Sequence, residues 1–239
     1  MNISDITQEY RYKAELHAHC KPVSACGRFL AHEVVETYAS IGCDTLVLTN
    51  HLTEKHCNIF PTTEETVEYY LSDYYKAIEA AKDTSLTIAL GVEIRFKDTV
   101  NDYLVYGVSP EDIEKMVYYV HTDIATFYRE FKNDKNVILH AHPFRSNMEP
   151  TPIGSVDGVE TFNCHPGHNS RIPYACRLAR ENGLLVSGGS DYHEQGRHGT
   201  CLTRTKQKLR DSYDVAEAIK SKDFVFDLFG HIVLPYNYI

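Results

Sequence analysis

Short apolar runs alternate with helix-length amphipathic segments along the whole chain. That alternation constrains the fold more than any single residue, because each run reads as a buried strand and each segment between as a crossover helix. The strand candidates are residues 14–16, 45–49 (TLVLT), 88–94 (IALGVEI), 102–108 (DYLVYGV), 137–140 (VILH), 158–162 (GVETF), 184–187 (LLVS) and 224–228. Helices are expected at 30–41, before Gly42, and at 63–81, where Thr62 or Thr63 caps a first turn rich in glutamate. Further helices are expected after Ser109, at 123–131, at 171–182 before Gly183, and at 215–220. The βαβα order predicts parallel strands with helical crossovers. About seven or eight such units in 239 residues predict an α/β barrel near the small end of its range, one domain over residues 1–239. Residues 190–209 are polar and irregular and read as a long functional loop.

Composition narrows the class. With 43% apolar and 24% charged residues the chain is ordinary globular protein. The formal charge of −9 argues against duplex nucleic acid as a partner, while a local cationic cluster can still hold a small anion. Seven cysteines, an odd number with no CxxC pair, argue against a disulfide framework or a zinc ribbon. No leader-like apolar segment opens the chain and no apolar run reaches the roughly 18 residues of a membrane span. A soluble, reduced, cytoplasmic protein is expected, with its oligomeric state left open.

Histidine is abundant, with 13 residues, and its placement carries the chemistry. Polar ligand types recur at the carboxyl ends of the strand candidates: His17-Ala18-His19, Asn50-His51, Glu93, His140-Ala141-His142-Pro143 and Asp191-Tyr192-His193. Parallel barrels gather such ends at one rim. Period-two spacing puts His17 and His19 on one strand face. It puts His140 and His142 together as well, with His142 the ligand candidate and His140 behind it. Imidazole with carboxylate suits zinc, manganese or iron and argues against a calcium cage. Glu93 can bridge two cations, and bridged cations about 3.5–4 Å apart clamp a phosphoester and generate hydroxide near neutral pH.

These marks, HAH at 17–19, TNH ending at His51, GVE ending at Glu93, AHP around His142 and SDYH at 190–193, occur in order across residues 17–193. In them the chain resembles the PHP superfamily, named for polymerase and histidinol phosphatase domains. The resemblance implies a distorted (β/α)7 TIM-like barrel, two or three divalent ions (Zn, Mn or Fe) and phosphoester hydrolysis. It also implies that His17, His19, Glu93 and Asp191 hold one ion, Glu93 and His142 a second, and His51 and His193 a third. Two departures stand out: Cys20, Ser24 or Cys26 occupies the stretch after HAH where an acid or imidazole is expected. After Glu93 the next strand offers Asn101, Asp102 and Tyr103 in place of a histidine.

A phosphate also needs cationic donors, and Arg145, just after the fifth strand, is the leading candidate. Arg28, Arg95, Lys21, Arg197 and His198 sit in other rim loops, and residues 163–169, with His165 and His168, read as substrate-facing. Asp191 or His193 is placed to assist proton transfer to the leaving oxygen. His32, His56, His121 and His231 read as surface or helix residues. The rival enzyme is an amidohydrolase, which needs a bridging carboxylated lysine where Glu93 stands. The non-enzymatic rival is a metal-binding module without turnover.

Overall fold

Runs of aliphatic residues buried on both faces set the strands: every residue of Thr45–Leu48 and Val137–His140 is buried. The computed structural model describes residues 3–149 and 151–236. The first third contains α1 (Ile3–Glu9), β1 (Tyr12–Ala18), α2 (Ala31–Ser40), β2 (Thr45–Leu48), β3 (His51–Leu52), α3 (Glu54–Cys57) and α4 (Thr63–Ala81). There follow β4 (Thr87–Leu90), β5 (Val92–Ile94), β6 (Tyr103–Tyr106), α5 (Asp112–Tyr119), α6 (Ile124–Phe131) and β7 (Val137–His140). The last part holds β8 (Gly158–Asn163), α7 (Ile172–Asn182), β9 (Leu185–Gly189), β10 (Leu202–Thr205), α8 (Ser212–Ser221), β11 (Val225–Leu228) and β12 (His231–Val233).

The strands form two six-stranded sheets, in the orders β12-β11-β10-β1-β2-β4 and β3-β5-β6-β7-β8-β9. No single closed ladder joins the described strands. The sheets share chain segments, since β2 continues toward β3 and β4 continues through Gly91 into β5. Gly91 N donates to Leu48 O at 2.9 Å and Glu93 N to Asn50 O at 3.2 Å, which carries the pairing from one sheet to the next. A Cβ on Gly91 would lie 2.7 Å from Thr49 Cγ2, so only glycine lets the segments pass there. On the opposite side Ala18 forms a parallel bridge with Tyr192, and His19 N donates to Tyr192 O at 3.0 Å. Leu16, Val47 and Ala89 of the first sheet share a buried cluster with Leu104, Tyr106 and Leu139 of the second, joined by Val215 and Ile219 of α8. The sheets therefore face one interior.

The expectation of parallel strands holds only in part. β1–β2, β2–β4, β7–β8 and β8–β9 are parallel, whereas β5–β6, β6–β7, β1–β10 and β10–β11 are antiparallel. Between β5 and β6 the chain is too short for a crossover helix, so it turns straight back. The single expected strand at 88–94 is split at Gly91, and the expected loop at 190–209 contains β10. No described helix is long and apolar enough to cross a membrane, and no disulfide joins the cysteines.

Candidate metal centre

The strand ends bring the expected ligands to one buried point around Glu93. Glu93 Oε1 lies 3.3 Å from His17 Nε2 and 3.1 Å from His142 Nε2. Its Oε2 lies 2.8 Å from His51 Nδ1 and 3.3 Å from His19 Nε2. Asp191 Oδ1 closes the other side, 3.5 Å from His17 Nε2, 3.4 Å from His19 Nε2 and 3.3 Å from His193 Nδ1. Asp191 and His142 both have positive φ, at 50° and 32°. Left-handed backbone on non-glycine residues is held by its surroundings and gathers at functional sites. Here it turns both side chains inward just after their strands end. Gly189 is needed beside them, because a Cβ there would lie 2.5 Å from His17 Cβ.

Outer partners fix the rings. His17 Nδ1 lies 2.8 Å from Glu160 Oε1, which aims Nε2 into the cluster. Glu160 Oε2 also accepts from His142 N at 3.0 Å and Asn163 Nδ2 at 3.0 Å, so one carboxylate orients two ligand residues. His19 Nδ1 is 3.2 Å from Ser24 Oγ, and His193 Nδ1 is 2.8 Å from Asp191 O. Glu15, below the cluster, accepts from His17 N at 3.0 Å and Ser190 N at 2.9 Å, and so ties β1 to the 190–193 segment. Glu160→Gln puts an amide N–H against the His142 or Asn163 donor or against His17. It is expected to weaken divalent-cation affinity by about 10–100-fold in a competition titration; unchanged affinity would show that Glu160 does not orient these ligands.

Electrostatics favour a cation. Burial opposes ionisation of Glu93, but His51 and His17 outweigh it and hold its carboxyl well below the usual range. Burial likewise opposes Asp191, and His17, His19 and Arg145 outweigh it. His19 is held well below the imidazole range by burial and by neighbouring His193 and His51, which leaves a neutral ring with a lone pair. His17 Nε2, His19 Nε2, His51 Nδ1 and Glu93 Oε2 are all buried without a hydrogen-bond partner. These atoms meet one another, Glu93 Oε1 and the Asp191 carboxylate at 2.8–3.5 Å, a buried donor set that fits a divalent cation with nitrogen and oxygen ligands. Four three-residue groups have ligand atoms within 4.8 Å of one another: His17-His19-Asp191, His17-Glu93-His142, His51-Glu93-Asp102 and His19-His51-His193.

All seven expected ligands thus meet. Asp102 joins them, although nothing in residue order prefers it over its neighbours. Glu160 sits inside the apolar GVETF run, where residue order does not mark it as part of the site; its one signal is an acid within a core strand. His140 is a correction. Its Nδ1 faces Thr151 Oγ1 at 2.9 Å, away from the cluster, because the strand ends there and His142 departs from the alternation.

Above the cluster opens a pocket of about 400 Å³ lined by Arg28, Arg95, Arg145, Arg197, His165 and His168, among others. Lys21 and His198 are not among its lining residues. Each guanidinium has a carboxylate partner. Arg145 pairs with Asp191 Oδ2 and donates to Asn163 Oδ1 at 2.8 Å, and Arg95 grips Asp102 through two bonds of 2.7 and 2.6 Å. Glu194 holds both Arg28 at 2.7 Å and Arg197 at 2.6 Å. Cys26 Sγ lies 3.1 Å from His193 Nε2. Burial would raise its thiol, but His193 and His51 pull it down to about 6.

No family model and no curated protein matches the chain. Solved structures do match its fold. A two-domain protein from Bacteroides vulgatus, named as containing a predicted PHP-like metal-dependent phosphoesterase, superimposes with a TM-score of 0.66 at 18% identity over 91% of this chain. This chain spans 64% of that one. PsfC from Pseudomonas syringae gives a TM-score of 0.56 at 14% identity, over 86% of this chain and 87% of that one. An amidohydrolase from Chromobacterium violaceum, solved with bound sulfate and no metal, gives 0.53 at 16% identity, over 94% and 98%. The class defined by fold and site is an α/β protein with a histidine–carboxylate centre. Its fold is shared with part of a two-domain structure named as containing a predicted PHP-like metal-dependent phosphoesterase.

Proposed function

We propose that the chain is a metal-dependent phosphoesterase acting on a small phosphorylated substrate. The observation that supports this most is the convergence of four buried, unpartnered ligand atoms beneath a pocket lined by four arginines. Metal ligands alone fit many hydrolases; guanidiniums placed over them favour an anionic substrate. The same reading takes the two sheets as parts of a distorted (β/α)7 barrel in one domain, and the protein as cytoplasmic. A pocket of about 400 Å³ suits a small ester and not a duplex.

His17, His19, His51, Glu93, His142, Asp191 and His193 would hold two or three ions of zinc, manganese or iron, with Asp102 as a further ligand. Divalent cations there would supply a nucleophile from water at neutral pH and offset charge on the phosphoryl oxygens. Arg145 binds and orients the phosphoryl group, exchanging part of its contact with Asp191 for phosphate oxygens. Arg28, Arg197 and His168 hold the rest of the substrate at the rim. His193 Nδ1 meets the Asp191 carbonyl and Nε2 lies beside Cys26 Sγ at the pocket wall; where His193 holds no ion, Nε2 is the atom that can pass a proton to the leaving oxygen.

Arg145→Met is expected to raise KM for a phosphomonoester by about 10–100-fold, the loss of a charge-assisted pair; an unchanged KM would remove Arg145 from the substrate site. The reading as a whole is tested by metal content on protein purified without added metal, with p-nitrophenyl phosphate hydrolysis on the same sample. Bound metal with chelator-sensitive turnover supports it. Bound metal without phosphatase turnover favours C–N or C–O substrates, as for the amidohydrolase that shares the fold, or a module without turnover.

A further inference from the structure

A second cavity, of about 320 Å³, adjoins the metal pocket. Arg145 and Met148 line both. Its other walls are largely apolar: Phe144, Ile153, Val156, Val159, Leu178 and Leu184. Two buried polar atoms without a hydrogen-bond partner belong to residues lining it, Arg145 Nε at the shared boundary and His140 Nε2 on the inner wall. His140 is 2% exposed, lines the cavity, and its Nε2 has no hydrogen-bond partner.

The ring's proton can be placed from the groups behind it. Asn101 is fixed by Glu149, accepting from its N at 2.8 Å and donating to its O at 2.8 Å. The same Asn101 amide nitrogen lies 3.4 Å from Tyr103 Oη, so the phenol accepts there. Tyr103 Oη and Thr151 Oγ1 lie 2.9 Å apart and either can donate; the phenol is the more acidic hydroxyl and already accepts from Asn101, so it is taken as the donor. Thr151 then donates to His140 Nδ1 at 2.9 Å. With Nδ1 accepting, the ring's proton sits on Nε2, a buried donor against an apolar cavity.

We propose that this cavity seats the leaving group of the phosphoester, an apolar ring-sized group carrying one hydrogen-bond acceptor that meets His140 Nε2. The proposal rests on the phosphoesterase reading and names its substrate class. Arg145, shared by both spaces, would hold the phosphoryl group at the boundary between them. The volume lies at the small end of ligand pockets, which run from about 300 to 1,000 Å³, and so admits one compact ring system. A site built around a buried donor rejects an analogue lacking the acceptor, because the donor is then left unpaired.

The test titrates the phosphate-free product analogue 4-hydroxyacetophenone into the metal-loaded protein, followed by ligand-observed NMR. The isosteric 4-isopropylphenol, which lacks the carbonyl acceptor, serves as comparison. Ile153→Trp, at a half-exposed loop position, fills the cavity and is expected to weaken binding of both compounds by about tenfold or more. His140→Phe is expected to weaken 4-hydroxyacetophenone by about tenfold and to leave 4-isopropylphenol nearly unchanged. If Ile153→Trp, shown folded by its melting curve, binds both compounds as the wild type does, the cavity is not the seat. Equal effects of His140→Phe on the two compounds would overturn the role of Nε2. Failure of the underlying reading shows separately: binding that follows this pattern without hydrolysis of 4-acetylphenyl phosphate or p-nitrophenyl phosphate removes the leaving-group role while keeping the cavity as a binding site.

Discussion

Glu93→Gln is expected to give a folded protein with no detectable phosphoester hydrolysis and with cation affinity lowered by more than about 100-fold. The substitution is isosteric, so packing is kept. What changes is the donor set. Glu93 is fully buried and its two oxygens face four imidazoles, His17 and His142 on one side, His19 and His51 on the other. Glutamine keeps one of those oxygens and replaces the other by an N–H donor that cannot ligate a cation. It also removes the negative charge that makes a cluster of buried imidazoles hospitable to a doubly charged ion. The fold should survive because β5 is held by backbone pairing, with Val92 opposite Val105 and Ile94 opposite Tyr103, and not by the Glu93 side chain. The measurements are elemental analysis, a thermal melt and p-nitrophenyl phosphate turnover on one preparation. Full turnover by a folded variant would sink the phosphoesterase assignment.

Much of the architecture was legible in residue order, and the failures have physical causes. α4 runs over Thr63–Ala81, as the Thr62 cap and its acidic first turn predict, and Thr62 Oγ1 accepts from Glu65 N. β10 was missed because its Leu-Thr-Arg-Thr sequence looks like loop. It is buried all the same, since Arg204 reaches Asp227 at 2.9 Å and Tyr10 O at 2.9 Å. Sequence order also concealed strand direction at β6–β7, where two helices intervene and yet the strands run antiparallel. Candidate metal ligands are legible because they cluster at strand ends. Glu160 is not, because an acid that orients ligands from within a strand leaves no local pattern, and what singles out Asp102 from Asn101 and Tyr103 is the pairing of β6 with β5. The His140–His142 pair shows the limit of alternation: it applies only while the strand lasts, and here it ends at His140.

Chelation is expected to reduce hydrolysis to background, and reconstitution with zinc, manganese or iron to restore it with a break at two ions per chain. The number follows from how the ligand groups overlap. A neutral imidazole offers one lone pair, while Glu93 offers two oxygens. His17, His19 and His51 each belong to two of the four possible three-residue groups. Choosing groups so that no imidazole is used twice allows at most two at once, for example His17-Glu93-His142 with His19-His51-His193. A third ion would be left with fewer than three protein ligands and should be lost first on dilution. Stability should move with occupancy, since ions that bind only the folded state raise its free energy of unfolding by about 2.7 kcal/mol at a hundred times Kd. For a domain of this size that is a melting shift of several degrees. An activity break at three equivalents would show that two-ligand sites suffice here. Undiminished turnover in protein shown by elemental analysis to be metal-free would mean that the convergent imidazoles serve structure and not chemistry, and the four orphaned atoms around Glu93 would then need another partner.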